Sequence, residues 1–291
     1  MLAAATVAPG LWDWSFDPPL ALVIDLAILY WMGSRRTVTP ARTRHQRRWQ
    51  SASFYAGLAV LAIALSSPLE ILSEQLFWAH MVQHVLLLVV AAPLIVLARP
   101  WIRLWRSLPL GLRRWLAGNL SQGERTRWLR AASRLLGSPQ AGFVAFSVVL
   151  LVWHVPALFD ATLRSSALHA LEHTLFFATA VMFWKQVIDS PPLHARLSSV
   201  QRVAYVVGAM VVSWVLAVVL ALAPQPLYSF YAHEASRPGG ISALTDQQLA
   251  AGIMWVPGSI TFVLVIFVYV HRWLAPPASL PTQSARLVSG H

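Results

Sequence analysis

Four long stretches without a single Asp, Glu, Lys or Arg are the feature that most constrains this chain. They lie at residues 75–98, 135–159, 203–233 and 247–271. Each is longer than the roughly 20 mostly apolar residues that a helix needs to cross a bilayer. Charged residues make up only 11% of the chain, whereas roughly 25% is usual in a soluble domain. The sequence therefore predicts an integral membrane protein.

Shorter apolar segments extend this pattern to an all-α fold, a bundle of seven transmembrane helices. The first segment carries Asp25 and the fifth carries Glu172. Because there is no internal repeat, we expect one membrane domain over 1–274, followed by a flexible, Pro/Ser-rich cytoplasmic tail at 275–291. The seven predicted segments are 18–33, 50–67, 76–98, 141–159, 168–189, 203–223 and 249–273.

The distribution of basic residues predicts the orientation of these helices. The regions after the first, third, fifth and seventh segments, with their flanks, hold 20 of the 22 Lys and Arg residues, which leaves Arg164 and Arg237 in the other connections. By the positive-inside rule, the N-terminus lies outside and the C-terminus is cytoplasmic. The connection at 99–140 mixes Arg with Trp and Leu, which is typical of amphipathic helices that contact anionic lipids at the cytoplasmic face. Docking of another protein is the alternative, and we expect no nucleic-acid partner.

With this orientation, five of the ten histidines fall at a similar depth near the outer face. Two pairs have the spacing His-x3-His, which places both imidazoles on one helix face with Cβ atoms about 6 Å apart. A lone histidine near a membrane interface can simply hydrogen-bond to a neighbouring helix, but the repeated pattern favours a metal site. The five are His80 and His84 on the third segment, His154 on the fourth, and His169 and His173 on the fifth.

Further side chains extend the predicted site. Glu172 lies beside the second pair, where it can orient a ligating imidazole or bind the metal itself. Asp25, about 10 Å into the first segment, is another acid whose burial in a membrane would indicate function. Because the chain has no Cys, Met254 is the candidate sulfur ligand, and a thioether would favour Cu(I). Met81 lies about 100° around the helix from its neighbour His80, so it is not an obvious co-ligand.

Three motifs resemble a known family. HMVQHVLLLVVAAPLIVLARP begins at His80, WHVPALFDATLRSSALHALEHTLFF at Trp153 and DQQLAAGIMWVPG at Asp246. In this order they resemble the multi-span CtaG family of bacterial cytochrome c oxidase assembly factors. The resemblance covers most of the chain and implies a multi-pass protein of the bacterial plasma membrane that is needed to make an active haem–copper oxidase. It also implies that Asp246 and Glu172, like the five histidines, belong to the functional motifs.

We therefore expect an assembly factor rather than an enzyme. It would hold copper at the outer histidine cluster, receive it from an extracytoplasmic donor and pass it to an oxidase subunit. A membrane haem protein is the first alternative, with His84 and His154, or His154 and His173, as axial ligands. A transporter of copper or another cation is the second, although the inner halves of the segments offer few polar groups. Neither a Ser/His/Asp arrangement nor an H-E-x-x-H motif points to a hydrolase.

Overall fold

The computed structural model describes Gly10, Trp14 and residues 18–37, 43–122, 126–234 and 237–274. Within these ranges the chain is helical, and the one strand-like pairing is an isolated bridge between Ser190 and Leu193. A 3-10 turn covers Pro238–Gly240. The helices are α1 Pro18–Arg35, α2 Arg44–Ser66, α3 Pro68–Gln75, α4 Phe77–Leu97, α5 Trp101–Ser107, α6 Leu110–Gln122, α7 Arg127–Leu136, α8 Pro139–Trp153, α9 Pro156–Arg164, α10 Ser166–Val187, α11 Ser199–Leu222, α12 Ser229–Ala232 and α13 Ala243–Leu274.

Each of the seven predicted segments corresponds to one of the longer helices, namely α1, α2, α4, α8, α10, α11 and α13. Helices α2 and α13, which correspond to the second and seventh predicted segments, begin earlier than predicted. They start at Arg44 and Ala243 instead of 50 and 249. Apolar content identifies only the part of a helix that can lie in hydrocarbon. The polar first turns of these two helices were therefore not predicted. The predicted tail at 275–291 lies outside the described residues.

The predicted fourth segment, 141–159, is wrong at its C-terminal end. Helix α8 stops at Trp153, and α9 begins at Pro156 after an extended Val155 with φ −65° and ψ 125°. Proline has no amide proton and disfavours helical geometry in the residue before it, so the helix breaks there. His154 consequently lies in the turn between two helices rather than within one.

Four helices of the described chain are long and apolar enough to cross a membrane, namely α2, α4, α11 and α13. A fifth span results if α7 and α8, which are bent by 73° at their junction, are counted as one. Helix α10 has 22 residues, but it carries the histidines, Glu172 and Lys185 and is therefore less apolar. The apolar helices indicate a membrane protein.

Helix α4 lies at the centre of the bundle, with one apolar core toward α10 and α13 and a second toward α1 and α2. Its middle, Leu86–Ala91, is a π-helix that precedes Pro93. Because Pro93 has no N–H, the carbonyl of Val89 loses its usual helical partner, and the Thr261 hydroxyl donates to it at 2.7 Å. The Trp184 indole donates to the carbonyl of Leu88 at 2.7 Å. These bonds tie α4 to α13 and α10.

The end of the bundle where α1 meets α5 is called the arginine end. Gly33 packs against the backbone of Arg103 so closely that a Cβ atom would lie 1.8 Å from the Arg103 carbonyl oxygen. The buried Arg103 guanidinium donates to Gln50 Oε1 at 3.0 Å and to Ser51 Oγ at 3.1 Å. Arg103 thus joins α5 to α2, and the glycine allows the close approach of α5 to α1.

Candidate metal centre

The opposite end of the bundle, called the histidine end, is organised around the first turn of α4. Both oxygens of the buried Asp246 carboxylate accept backbone N–H groups there, from Phe77 and Trp78, each at 2.9 Å. A carboxylate at a helix N-terminus satisfies free donors and stabilises the helix. Asp246 therefore connects α13 to α4 and fixes the turns of α4 that carry the first histidine pair.

Four buried side chains converge where α4 faces α10. Each offers one candidate ligand atom, and these atoms all lie within 4.8 Å of one another. The two His-x3-His pairs face each other across this interface, with ring centroids 5.6 Å apart for His80 and His173 and 5.5 Å apart for His84 and His173. The four side chains, called the His/Glu cluster below, are His80, His84, Glu172 and His173.

The environment of Glu172 differs from that of an acid with a purely structural role. The side chain is completely buried, and neither carboxylate oxygen has a hydrogen-bond partner among the residues that the structure describes. The Nε2 atoms of His80 and His84 lie 3.7 and 3.6 Å from its oxygens, which is beyond hydrogen-bond distance. Buried carboxylates are normally paired or bound to a metal, because an isolated buried charge is costly. The buried Asp160 of the same end, by contrast, accepts N–H groups of Ser229 and Phe230, each at 3.1 Å.

Tyr231 sets the orientation of the His80 ring. The Tyr231 hydroxyl donates to the carbonyl of Ser73 at 2.5 Å and lies 3.3 Å from Nδ1 of His80. Because the phenol has one proton, which Ser73 accepts, the Nδ1–H of His80 must be the donor in the second contact. Nε2 of His80 then directs its lone pair into the His/Glu cluster, the arrangement by which metal-binding histidines are usually held.

His169 lies at the surface side of the His/Glu cluster. Its ring centroid is 5.1 Å from that of His80 and 4.2 Å from that of His173. Its Nδ1 is 3.5 Å from the partly exposed carboxylate of Glu70, which also accepts the amide of Gln83 at 2.5 Å. Glu70 and His169 thus lie between the surface and the buried ligands.

His154 and Met254 lie on the opposite, deeper side of His84. The ring centroids of His84 and His154 are 5.8 Å apart. Both rings and the buried Met254 side chain line one small cavity of about 30 Å³ between α4, α8, α11 and α13. All five predicted histidines are therefore neighbours, although His154 and His169 lie outside the group of four.

Two predicted acids do not join the His/Glu cluster. Asp25 is exposed on α1, a helix that packs mainly on α2 and α5. Asp246 uses both oxygens to hold the start of α4. Tyr231, Glu70 and Gln83 were not predicted as part of the site. The sequence held no local signal for Tyr231, because it meets His80 across 151 positions of the chain.

The fold and the site together define a helical membrane protein with a buried group of imidazoles and one carboxylate. The model of the cytochrome c oxidase caa3 assembly factor family (Caa3_CtaG) matches residues 28–275. The chain belongs to this family, as the three motifs indicated. No curated protein and no solved structure matches it significantly. The family assigns a role in assembling the oxidase, which implies an interaction with that enzyme.

Proposed function

We propose that the protein binds a copper ion in the His/Glu cluster and passes it to a cytochrome c oxidase subunit during assembly. The observation that carries this proposal is the buried Glu172 carboxylate, which has no hydrogen-bond donor and faces three imidazoles. A metal cation would supply the missing positive charge. The role is one of delivery, so the protein turns over no substrate of its own.

The spacing of the ligand atoms supports a metal ion. With metal–nitrogen bonds of about 2.0 Å, the 3.0 Å between Nε2 of His80 and Nε2 of His84 corresponds to an N–metal–N angle of about 97°. Such an angle suits tetrahedral as well as square-planar coordination. Imidazole nitrogens are good ligands for copper, and without a thiolate the ion stays exchangeable. Exchange is what delivery to a second protein requires.

A small ion fits the site better than haem. The cavity shared by His84 and His154 measures about 30 Å³, whereas pockets for organic ligands usually start at about 300 Å³. The partly exposed Glu70 and His169 at the surface side of the cluster give an extracytoplasmic copper donor a place to release the ion. Transport across the membrane is less favoured, because the central part of the bundle below the cluster is packed with apolar side chains.

The same proposal includes a plasma-membrane location, with all seven long helices crossing the membrane, the N-terminus outside and the C-terminus in the cytoplasm. At 1.5 Å per residue, the 18 residues of α1 and the 22 of α10 are about 27 and 33 Å long, close to the about 30 Å of a bilayer core. Exposed Trp49, Trp115 and Trp128 accompany the arginine-rich helices, as expected of residues at the interface with anionic lipids.

Because the chain has no cysteine, single cysteines can test the orientation directly. Glu74→Cys lies on the exposed surface of α3 at the histidine end, and His194→Cys lies in an exposed loop at the other end. A maleimide that cannot cross membranes should label the first in intact cells and the second only after lysis. The reverse pattern would overturn the orientation.

Metal analysis and absorption spectroscopy of the purified protein test copper binding. We expect roughly stoichiometric copper and no Soret band in the wild type, and loss of Cu(II) binding in the double variant His80→Gln/His84→Gln. The matched control is His194→Gln/His271→Gln, which changes two exposed histidines. In cells that lack the native gene, only the control should restore oxidase activity. An unchanged Cu(II) affinity in the first double variant, or iron with a Soret band, would refute the proposal.

A further inference from the structure

Met81 lies beside the His/Glu cluster but faces a different partner. It follows His80 on α4 and is fully buried. Its Sδ atom lies 3.4 Å from Nε2 of His154, which comes from the turn after α8. The helical rotation of about 100° per residue explains why Met81 points away from the cluster and toward this second histidine.

The contact between Met81 and His154 is not an ordinary hydrogen bond. Nδ1 of His154 lies 2.7 Å from the carbonyl oxygen of Leu150, and a carbonyl can only accept, so Nδ1 carries the proton of the neutral ring. Nε2 therefore presents a lone pair to a thioether sulfur, which also offers only lone pairs. The buried Nε2 and Sδ atoms thus face each other with lone pairs only. A cation bound by both atoms would stabilise this arrangement.

The N···S distance has the size that a shared metal ion requires. With bonds of about 2.0 Å to nitrogen and about 2.3 Å to sulfur, a separation of 3.4 Å gives an N–metal–S angle of about 104°. This angle is close to the tetrahedral value. The pair can therefore bind one ion with little movement of either side chain.

Two more candidate ligands, His84 and Met254, lie near the His154 member of this pair. His154, His84 and Met254 line the same cavity of about 30 Å³. A cavity needs roughly 10–15 Å³ to hold a water molecule, so this one has room for a single ion but not for an organic group. Met254 thus contributes a second thioether to the surroundings, and His84 links the cavity to the His/Glu cluster.

We propose that Met81 and His154, with Met254 beside them, form a second metal site that is selective for Cu(I). Thioether sulfur is a soft ligand that prefers Cu(I), whereas the carboxylate and imidazoles of the His/Glu cluster also suit harder ions. The proposal rests on the proposed copper-delivery function and specifies the form of the ion. Copper can move between the two sites by exchanging ligands around His84, which borders both.

Binding of a soft probe ion tests this second site. Ag(I) mimics Cu(I) without redox chemistry, and Zn(II) probes the His/Glu cluster. Met81→Leu, a substitution that conserves volume and is well tolerated in packed cores, should weaken Ag(I) binding at least about tenfold, as expected for loss of a group that supports a metal. Zn(II) binding should stay unchanged. Met210 is a partly buried residue of α11 that packs against the same apolar core. Met210→Leu is therefore the matched control and should bind both ions normally.

X-ray absorption of the Cu(I)-loaded wild type gives a direct readout that depends on no variant. The chain contains six Met and no Cys, so a sulfur neighbour at about 2.3 Å, measured in thiol-free buffer, must come from a methionine. We expect this signal in the wild type and in Met210→Leu, and a clear decrease in Met81→Leu.

The failure of this proposal differs from the failure of the proposed function. Wild-type Ag(I) affinity in Met81→Leu, or Cu(I) without a sulfur neighbour, would remove the second site and leave copper binding in the His/Glu cluster intact. Loss of Zn(II) and Cu(II) binding in His80→Gln/His84→Gln, with sulfur-dependent Ag(I) binding retained, would support two separate sites.

Discussion

Two carboxylates lie near the opposite ends of α10, and they differ in exposure and in the hydrogen bonds that they accept. Asp189 follows the C-terminal end, is about half exposed, and receives both Nη atoms of Arg202 at 2.9 and 3.1 Å. Glu172, near the N-terminal end, is completely buried and accepts no hydrogen bond from the residues that the structure describes. The first is a surface ion pair that joins helices, whereas the second is a buried acid whose ionised form is costly unless a cation binds.

The same contrast holds for the two ends of the bundle: side chains at the arginine end stabilise the fold, and those of the His/Glu cluster are available for binding. Arg103 and Arg202 at the arginine end have their hydrogen bonds satisfied by neighbouring helices. In the His/Glu cluster, Glu172 and His173 keep ring or carboxylate atoms without partners. Substitutions at the arginine end should therefore change folding, and those in the cluster should change metal binding while leaving the metal-free fold stable.

The largest effect is expected for Glu172→Gln. Removing the one negative ligand should lower copper affinity at least about hundredfold, beyond what loss of a supporting group usually costs. The metal-free variant should be as stable as the wild type or more stable, because a neutral amide of the same shape replaces a buried acid whose ionised form is costly. Competition titration and thermal unfolding measure the two quantities. Glu74→Gln, an exposed acid at the same end, should change neither, and a strongly destabilised Glu172→Gln protein would contradict the comparison.

The converse is expected for Gly33→Ala at the arginine end. The new Cβ would lie 1.8 Å from the carbonyl oxygen of Arg103, so α1 and α5 must separate, at a cost of about 1–3 kcal/mol. Copper affinity of the folded fraction should stay unchanged. Gly118→Ala is the control, because nothing lies within 4 Å of its added Cβ and alanine favours a helix by about 1 kcal/mol. Equal stabilities of the two variants would show that the close approach is unimportant.

Tyr231→Phe should have a smaller effect on binding. Without its hydroxyl, Nδ1 of His80 loses the acceptor that fixes its tautomer, and copper affinity should fall about tenfold. Tyr205→Phe is matched to it, since the buried hydroxyl of Tyr205 has no hydrogen-bond partner within the described part of the chain. The same titration should return wild-type affinity for that control. An unchanged affinity in Tyr231→Phe would mean that the protein does not need this contact to orient His80.

The sequence was informative wherever the physics was local. The spacing of His80 and His84 placed both rings on one face of α4, where the structure has them side by side, and the three motifs indicated the family. Apolar length located the main helices, but it could not reveal that Pro156 starts a separate helix.

Contacts between distant segments could not be predicted in this way. The rotation of Met81 away from His80 followed from helical geometry, yet its partner His154 is 73 positions away and became visible only in the packed bundle. Asp246 was expected in the functional motifs, and its contacts with Phe77 and Trp78 show that it also anchors the helix that carries two ligands. Likewise, nothing local in the sequence shows why position 33 must be glycine, because the constraint comes from the backbone of α5.

Asp189→Asn should have the smallest effect and sharpens the comparison from the arginine end. The hydrogen bonds from Arg202 are the main reason why the pKa of Asp189 is lower than usual. A lowered pKa in the folded state stabilises the protein above the unfolded value, about 3.9 for Asp, and this contribution disappears as pH falls through the folded value. For a half-exposed pair we expect less than about 1 kcal/mol. Thermal unfolding of wild type and variant should therefore differ slightly at neutral pH and converge in acid, while copper affinity at neutral pH is equal. A difference that grows in acid would mean that Asp189 acts through something other than its charge, and that the two ends of α10 are less distinct than their contacts indicate.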